Sequence, residues 1–284
     1  YVQIDDFLHL RAELQPPPRI GGRPPRISDA ELITLAVCQM LFELPNDRKF
    51  LAIAGYRLAH LFPYLPKQPG YNKRLRRLSG VIAECVTHLA HVSPSFCDNL
   101  RLLDSTPVPC GQSRETVKRS ALAGEAAYGY CASHSRYFWG FRLYLLCAAD
   151  GMPIRFALAP ASAGEREVAA EMLEGTDLTD YFVLADKGFA GEEFERFMAA
   201  IGAVFLRPDR KDEAPRFGSL GRARQWIESA FSTLKGQLAL ERHGGRTLPG
   251  VCARVALRLL ALAAAIWHNW ELGEPGRHLT GYAY

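Results

Sequence analysis

The hydrophobic period changes once along this chain, near residue 100, and that change restricts the fold more than any other feature. Before it, apolar residues recur at helical intervals. Ser28-Asp29-Ala30-Glu31 has the spacing of a capping box, and Leu32, Leu35, Ala36, Val37 and Met40 follow on one face. Residues 47–58 and 73–92 repeat the pattern, with Pro63, Pro66, Pro69 and Gly70 punctuating between them. Residues 1–97 are therefore expected to form a small helical domain, with Pro16-Pro17-Pro18 and Gly21-Gly22-Arg23-Pro24-Pro25 as a stiff basic connector inside it.

After residue 100 the pattern is that of strands. Residues 100–104 form a short apolar run ending in a carboxylate, and residues 141–149 and 154–159 flank Asp150-Gly151 as a hairpin. A helix over 165–174, a strand over 181–185 ending in Asp186, a helix over 191–201, a strand over 203–206 and a long helix over 222–240 follow. The order βββαβαβα predicts an α/β domain over 98–284, a mixed sheet flanked by helices with one further helix at the C-terminal end.

Charge is distributed unevenly between these parts. The whole chain carries 34 Lys and Arg against 30 Asp and Glu, a formal charge of +4, but residues 1–100 sum to +3, 101–205 to −4 and 206–284 to +5. Basic ends suit phosphate contact and an acid-rich middle suits metal ions; an ordinary solvated surface would give the same numbers. In Tyr71-Asn72-Lys73-Arg74-Leu75-Arg76-Arg77-Leu78, Lys73, Arg74, Arg76 and Arg77 open a helix after a Pro-Gly turn, which predicts a helix-turn-helix reader of duplex DNA or a solvated basic helix start.

Seven scattered cysteines write neither a disulfide framework nor a zinc site, and a reducing cytosol fits them. The longest apolar run, over 259–267, is too short for a bilayer span of about 20 residues and reads as a buried helix, so no membrane is expected. A sequence starting at Tyr1 without methionine reads as trimmed or incomplete at that end.

Three carboxylates stand out: Asp104 at the end of the first strand, Asp186 at the end of the fourth, and Glu228 on the long helix. Strand ends are where open sheets expose ligands, and a carboxylate beside a core is costly unless paired or metal-bound. At 100° per residue, Arg224 and Lys235 lie within about 40° of Glu228. Ile227, Phe231, Leu234 and Leu238 form the adjoining apolar face, so the helix can pack through them while presenting a carboxylate between two cations. A surface ion pair is the alternative reading of Arg224 and Glu228.

Asp104 within Leu-Leu-Asp-Ser-Thr, Asp186 within Leu-Ala-Asp-Lys-Gly-Phe, and Arg224-x3-Glu228-x6-Lys235 resemble a DDE transposase of bacterial insertion sequences, over residues 98–268. More narrowly the chain is similar to the insertion-sequence nine-eighty-two group, within the superfamily whose last motif is Tyr-x2-Arg-x3-Glu-x6-Lys; Gly221 stands where that motif has tyrosine. The resemblance implies a ribonuclease-H-like core behind an N-terminal DNA-binding domain. It implies two Mg²⁺ ions, or Mn²⁺, held by Asp104, Asp186 and Glu228, which would serve the cutting of transposon ends and the joining of a 3′-hydroxyl to target DNA. It also implies a homodimer acting on inverted repeats and target, in the bacterial cytoplasm at the nucleoid. Arg224, Lys235 and Lys187 would pair with phosphates. A metal-dependent nuclease without strand transfer and a non-catalytic DNA-binding derivative remain as alternatives.

Other features read more plainly. His88-x2-His91 has metal-like spacing but no further ligand beside it, so a surface pair is expected. Trp226 is expected to pack against a neighbouring segment rather than stack on a base, and Gly244-Gly245 to make a turn. The stretch 207–216 is either a DNA grip or a solvated connection, and His134, Arg136, Tyr137, Trp139 and Arg142 are expected to belong to ordinary strand packing.

Overall fold

The computed structural model describes residues 1–14, 24–62, 64–111, 113–131, 135–210, 213–214, 216 and 220–282. Residues 16–23 of the connector predicted over 16–25, together with Pro63, His134, Lys211, Asp212 and Pro215, lie outside the described residues. The chain divides into two compact units, residues 1–89 with 236–284, and residues 90–235.

The first unit is helical: α1 (Val2–Leu10), α2 (Asp29–Leu41), α3 (Asp47–Arg57), α4 (Gln68–Arg77), α5 (Ser79–His91) and, from the other end of the sequence, α10 (Leu248–Leu272). The capping box that starts α2 is present, with Ser28 Oγ accepting from the Glu31 N–H at 3.0 Å and the Glu31 carboxylate accepting from the Ser28 N–H at 2.6 Å. The expected helix over 73–92 is two helices. Pro69 sits in the first turn of α4 instead of before it, and the backbone turns at Leu78 before Ser79-Gly80 restarts as α5.

The last helix falls with the first unit, not with the sheet, which differs from the expected boundary at 97/98. α10 packs on α2 and α4, and almost every side chain from Val251 to Ile266 is buried, so its apolar surface completes the helical core. Capped by Thr247 and ended by Gly273 at φ +70°, α10 runs 25 residues, straight through Arg254 and Arg258. It is long and apolar enough to cross a membrane, but 78% of its most apolar stretch is buried within this chain, as in the core helix of a globular domain.

The second unit holds one six-stranded sheet made of β1 (Leu100–Gly111), β2 (Ala127–Cys131), β3 (Arg136–Ala148), β4 (Pro153–Pro160), β5 (Phe182–Ala185) and β6 (Val204–Leu206). β3 pairs antiparallel with β1 along one edge, and with β4 and then β2 along the other; β5 and β6 extend the sheet in parallel beyond β1. The helices α7 (Glu165–Leu173), α8 (Glu192–Ala200) and α9 (Gly221–Lys235) pack on it, while the short α6 (Arg114–Arg119) follows β1. The expected order is therefore present with β2 and α6 added. The long helix ends at Lys235, five residues earlier than expected, because Gly236 starts a turn and Ala239 adopts a left-handed conformation at φ 50°. Ile227, Phe231, Leu234 and Leu238 are nevertheless all buried.

Where β1 bulges between Pro109 and Gly111, Gly140 of β3 passes so close that an added Cβ would lie 2.3 Å from the Val108 carbonyl oxygen. Gly140→Ala is expected to force the strands apart and cost about 1–3 kcal/mol, the range for overpacking, read as a lower urea midpoint. An unchanged midpoint would mean that the bulge relaxes freely.

Candidate active site

The parallel pairing of β1 with β5 covers Leu100–Leu103 against Phe182–Ala185, with Leu103 opposite Ala185. Asp104 and Asp186 are the next residue on each strand, so the register sets their backbones side by side where the pair ends. Asp104 is not at the end of its strand, as expected from the sequence, because β1 continues to Gly111 along β3. What ends at Asp104 is the parallel neighbour.

Asp104 is half-buried, and its Oδ1 accepts from the Ser105 N–H at 2.7 Å. Burial pushes its carboxyl up to about 7 against the pull of that hydrogen bond; Asp186 and Glu165 raise it further, and Arg224 lowers it. Asp186 caps a one-turn 3-10 segment, Lys187–Phe189, with its Oδ1 accepting from the Lys187 N–H at 2.5 Å. Arg224 reaches the same oxygen from α9 at 3.2 Å. The sequence-predicted Asp104, Asp186 and Arg224 therefore come together, and the exposed Lys187 side chain follows immediately.

Among the described residues no hydrogen bond or ion pair joins Glu228 to this group. Glu228 is exposed on α9, one turn beyond Arg224, and Lys235 is half-buried at the helix end. Among the described residues, no three His, Cys, Asp or Glu side chains gather closely enough to hold a metal ion. The donor chemistry still fits a hard dication: Asp104 and Asp186 offer only carboxylate oxygens, and such an ion would offset the burial and, after it, the neighbouring negative charge that lift Asp104.

Glu165 was not among the expected site residues. Its Oε1 accepts from Ser105 Oγ at 3.1 Å and pairs with Arg142 Nη1 at 3.2 Å, and Arg142 also donates to Ser105 Oγ at 3.2 Å and to the Tyr130 carbonyl at 2.6 Å. An added Cβ at Gly188 would lie 2.6 Å from Glu165 Oε2, so glycine there is what lets this carboxylate approach the turn after Asp186. Arg142, read from the sequence as strand packing, is therefore part of this cluster, while Trp139 is buried as expected.

Other candidates are placed differently. Arg74 turns inward, donating to the Ile27 carbonyl at 2.8 Å and pairing closely with Asp29, whereas Lys73, Arg76 and Arg77 are exposed. In the 207–216 stretch Arg207 is buried between Glu195 and Glu213; these hydrogen bonds hold Glu213 down to about 2, and Arg216 joins both carboxylates. That cation is committed within the fold. His88 stacks on Phe7 at 4.5 Å and His91 packs on Phe96 at 4.4 Å, so the two imidazoles serve separate ring contacts. Trp226 is 43% exposed, more open than expected.

Against this geometry, residues 95–264 match the transposase DDE domain family. The match spans more than half of the chain, which belongs to that family. The sheet order and helices fit the ribonuclease-H-like core expected for such a domain. Among solved structures the chain is similar to a pre-cleavage Mos1 transpososome, at 12% identity over 93% of this chain and 87% of that one, with a TM-score of 0.25, too loose a likeness to place any residue. A search of curated proteins found no significant match.

Proposed function

We propose that the protein is the transposase of a bacterial insertion sequence, of the insertion-sequence nine-eighty-two group, acting in the cytoplasm at the nucleoid. In this reading it binds duplex inverted repeats as a homodimer, cuts the element's ends and joins the freed 3′-hydroxyl to target DNA. The observation that carries the reading is the side-by-side emergence of Asp104 and Asp186 where β1 and β5 part, with Arg224 against Asp186.

Asp104 and Asp186 would hold Mg²⁺ or Mn²⁺, with Glu228 as the third donor of a two-ion site. Such ions, when bound, stabilise the attacking and leaving oxygens of a phosphodiester. The chain's own groups do the rest. Arg224, Lys187 and Lys235 neutralise and orient the phosphates on either side of the scissile bond, Arg through two parallel donors and Lys as a point charge. In the first step water displaces the 3′ oxygen from phosphorus; in the second that 3′-hydroxyl displaces an oxygen of the target phosphodiester. Neither step needs a protein nucleophile.

Glu165 is a positioning residue in this scheme. Through Ser105 Oγ and Arg142 it fixes the strand just past Asp104. Glu165→Gln is expected to lower single-turnover cleavage about 10–100-fold and to raise the Mg²⁺ concentration needed for half-maximal rate, as loss of outer-shell support does. A wild-type metal titration curve with wild-type rate would remove Glu165 from the scheme.

The test of the whole reading is incubation with labelled element ends and a target plasmid, in Mg²⁺ or EDTA. A joined product only with metal is expected. Cutting without joining would identify a nuclease, and binding without cutting even in Mg²⁺ a DNA-binding derivative.

A further inference from the structure

We infer that the cleft between α4 and the entry to α10, within the helical unit, seats the sugar-phosphate backbone of duplex DNA through Arg76 and Arg246. The inference rests on the DNA-acting reading above and adds a second place of contact to it, built partly from sequence beyond the catalytic helix. The cleft has a volume of about 540 Å³ and is lined by the start of α3, by α4, by His243–Thr247 and by the first turns of α10.

Its charge is one-sided. Arg76 and Arg246 are exposed and have no ion-pair partner among the described residues. The single carboxylate in the lining, Asp47, is already satisfied: Arg254 grips both of its oxygens at 3.0 and 2.5 Å, Asn72 donates at 2.8 Å and Gln39 at 2.9 Å. Two uncompensated guanidinium groups therefore face a cleft whose only anion among the described residues is neutralised. Such groups seek phosphate oxygens.

The entry to α10 is built for close approach. Gly244 takes φ +70°, and Gly245 lies so near Val251 that an added Cβ would sit 2.8 Å from its backbone, which folds residues 243–247 tightly over the helix start. His243 Nδ1 accepts from the Gly245 N–H at 3.1 Å and holds that turn. Gly250 is buried beneath that turn, where an added Cβ would lie 3.1 Å from Thr247 Oγ1, 3.7 Å from Arg76 Cδ and 3.9 Å from the Gly245 Cα, so the Arg76 stem packs beside the first turn of the 25-residue helix. The positive end of the helix dipole adds to the two cations.

Exposed cations continue beyond the cleft lining on both elements. Exposed Lys73 precedes Arg76 by one turn on α4, and exposed Arg242 precedes the Gly-Gly turn. That spacing suits a chain of phosphodiesters more than one small anion.

The experiment measures binding of a fluorescent mixed-sequence duplex by the full chain as a function of salt. Each phosphate contact contributes about 0.9 to the slope of log K against log salt, so Arg76→Ala/Arg246→Ala should lower the slope by about twice that. Arg246→Ala alone should lower it by about one contact, and Arg76→Lys/Arg246→Lys should restore most of it. Arg57→Ala, outside the cleft on α3, should leave it as in the wild type. An unfolding curve for each variant checks the fold, and if the double variant melts early, the Arg246→Ala and lysine pair decide alone. A wild-type slope in the Arg246→Ala and double variants, or an equal fall with Arg57→Ala, overturns the cleft while the transposase reading stands. Failure of the wild type to bind duplex at all overturns both. Inorganic phosphate is the second probe: if it raises the wild-type melting temperature but not the double variant's, and the duplex slopes are equal, the cleft is a small-anion site and the duplex assignment fails.

Discussion

Asp104→Asn is expected to reduce metal-dependent cleavage by at least about 10²–10³-fold, the scale on which loss of one preorganised electrostatic group slows an enzyme, and at the same time to stabilise the metal-free protein. The two effects have one cause. Burial and the nearby Asp186 and Glu165 carboxylates push Asp104 up to about 7 in the folded state, well above its ordinary range. The folded protein therefore binds a proton more readily than the unfolded chain between that ordinary range and about 7, and the ionised carboxylate weakens the fold as pH rises through that window. A neutral amide of the same shape removes that penalty at pH 8. The wild type without metal should consequently melt lower at pH 8 than Asp104→Asn, and the gap should narrow as pH falls toward 5. Added Mg²⁺ should raise the wild-type melting temperature and leave the variant unchanged. Because proton and metal compete for Asp104, the Mg²⁺ concentration needed for cleavage should rise as pH falls below about 7, and saturating metal should offset the loss. A variant that is less stable than wild type at pH 8 would show that Asp104 is a structural carboxylate, satisfied by its own fold, and would remove it from the catalytic group.

Asp104 and Asp186 were legible because each ends or interrupts an apolar run with a charge that a core cannot absorb. Their neighbours were less so. Glu165 opens a helix, where an acidic residue is ordinary compensation for the helix dipole, and nothing local marks it as special. The topology marks it: β1, β4 and β5 run in one direction, so the helix after β4 begins at the same sheet edge where Asp186 leaves β5. Sequence patterns give strands more readily than they give strand directions.

The extension of β1 past Asp104 was hidden for a related reason. Pro107 and Pro109 lack the N–H that an inner strand uses, yet β5 pairs with β1 only as far as Leu103, so this edge of the later strand has no β5 partner to donate to. β2 carries Gly129 in its centre, where a Cβ would come within 2.6 Å of the Ala161 carbonyl, and only Cys131 is buried, too little alternation to register as a strand. The place of α10 in the helical unit rests on long-range packing against α2 and α4 and is marked by Arg254 meeting Asp47, a pair separated by most of the chain and invisible to any local pattern.

Asp47→Ala is expected to cost about 3–5 kcal/mol, the range for removing one partner of a buried ion pair, which is a large part of the roughly 5–15 kcal/mol that stabilises a typical domain. Asp47 is 7% exposed and ties four helices together: it takes Gln39 from α2 and Asn72 from α4, and it accepts both donors of Arg254 from α10, while Tyr71 donates to Gln39 at 2.8 Å. Its removal strands two cations, not one. Arg258, fully buried one turn along α10, donates to the Ala239 and Arg254 carbonyls but leaves Nη2 without a partner among the described residues. Desolvation, with Arg254's charge added, already drives Arg258 down to about 9, and Asp47 is the anion that opposes this. Burial by itself would raise the Asp47 carboxyl, but Arg254, Gln39 and Asn72 outweigh it and hold it below its ordinary value. The sign of the pH dependence follows: this stabilisation is complete above the unfolded carboxyl's range near 4 and is lost as pH falls through the lower folded value. Urea unfolding of the wild type should weaken below about pH 4 through this group, and that part of the acid sensitivity should vanish in Asp47→Ala. Asp47→Leu/Arg254→Met should recover much of the loss by replacing the pair with apolar volume. A single alanine variant within about 1 kcal/mol of wild type would mean that water reaches the pair and that the helical unit stands on its apolar packing alone.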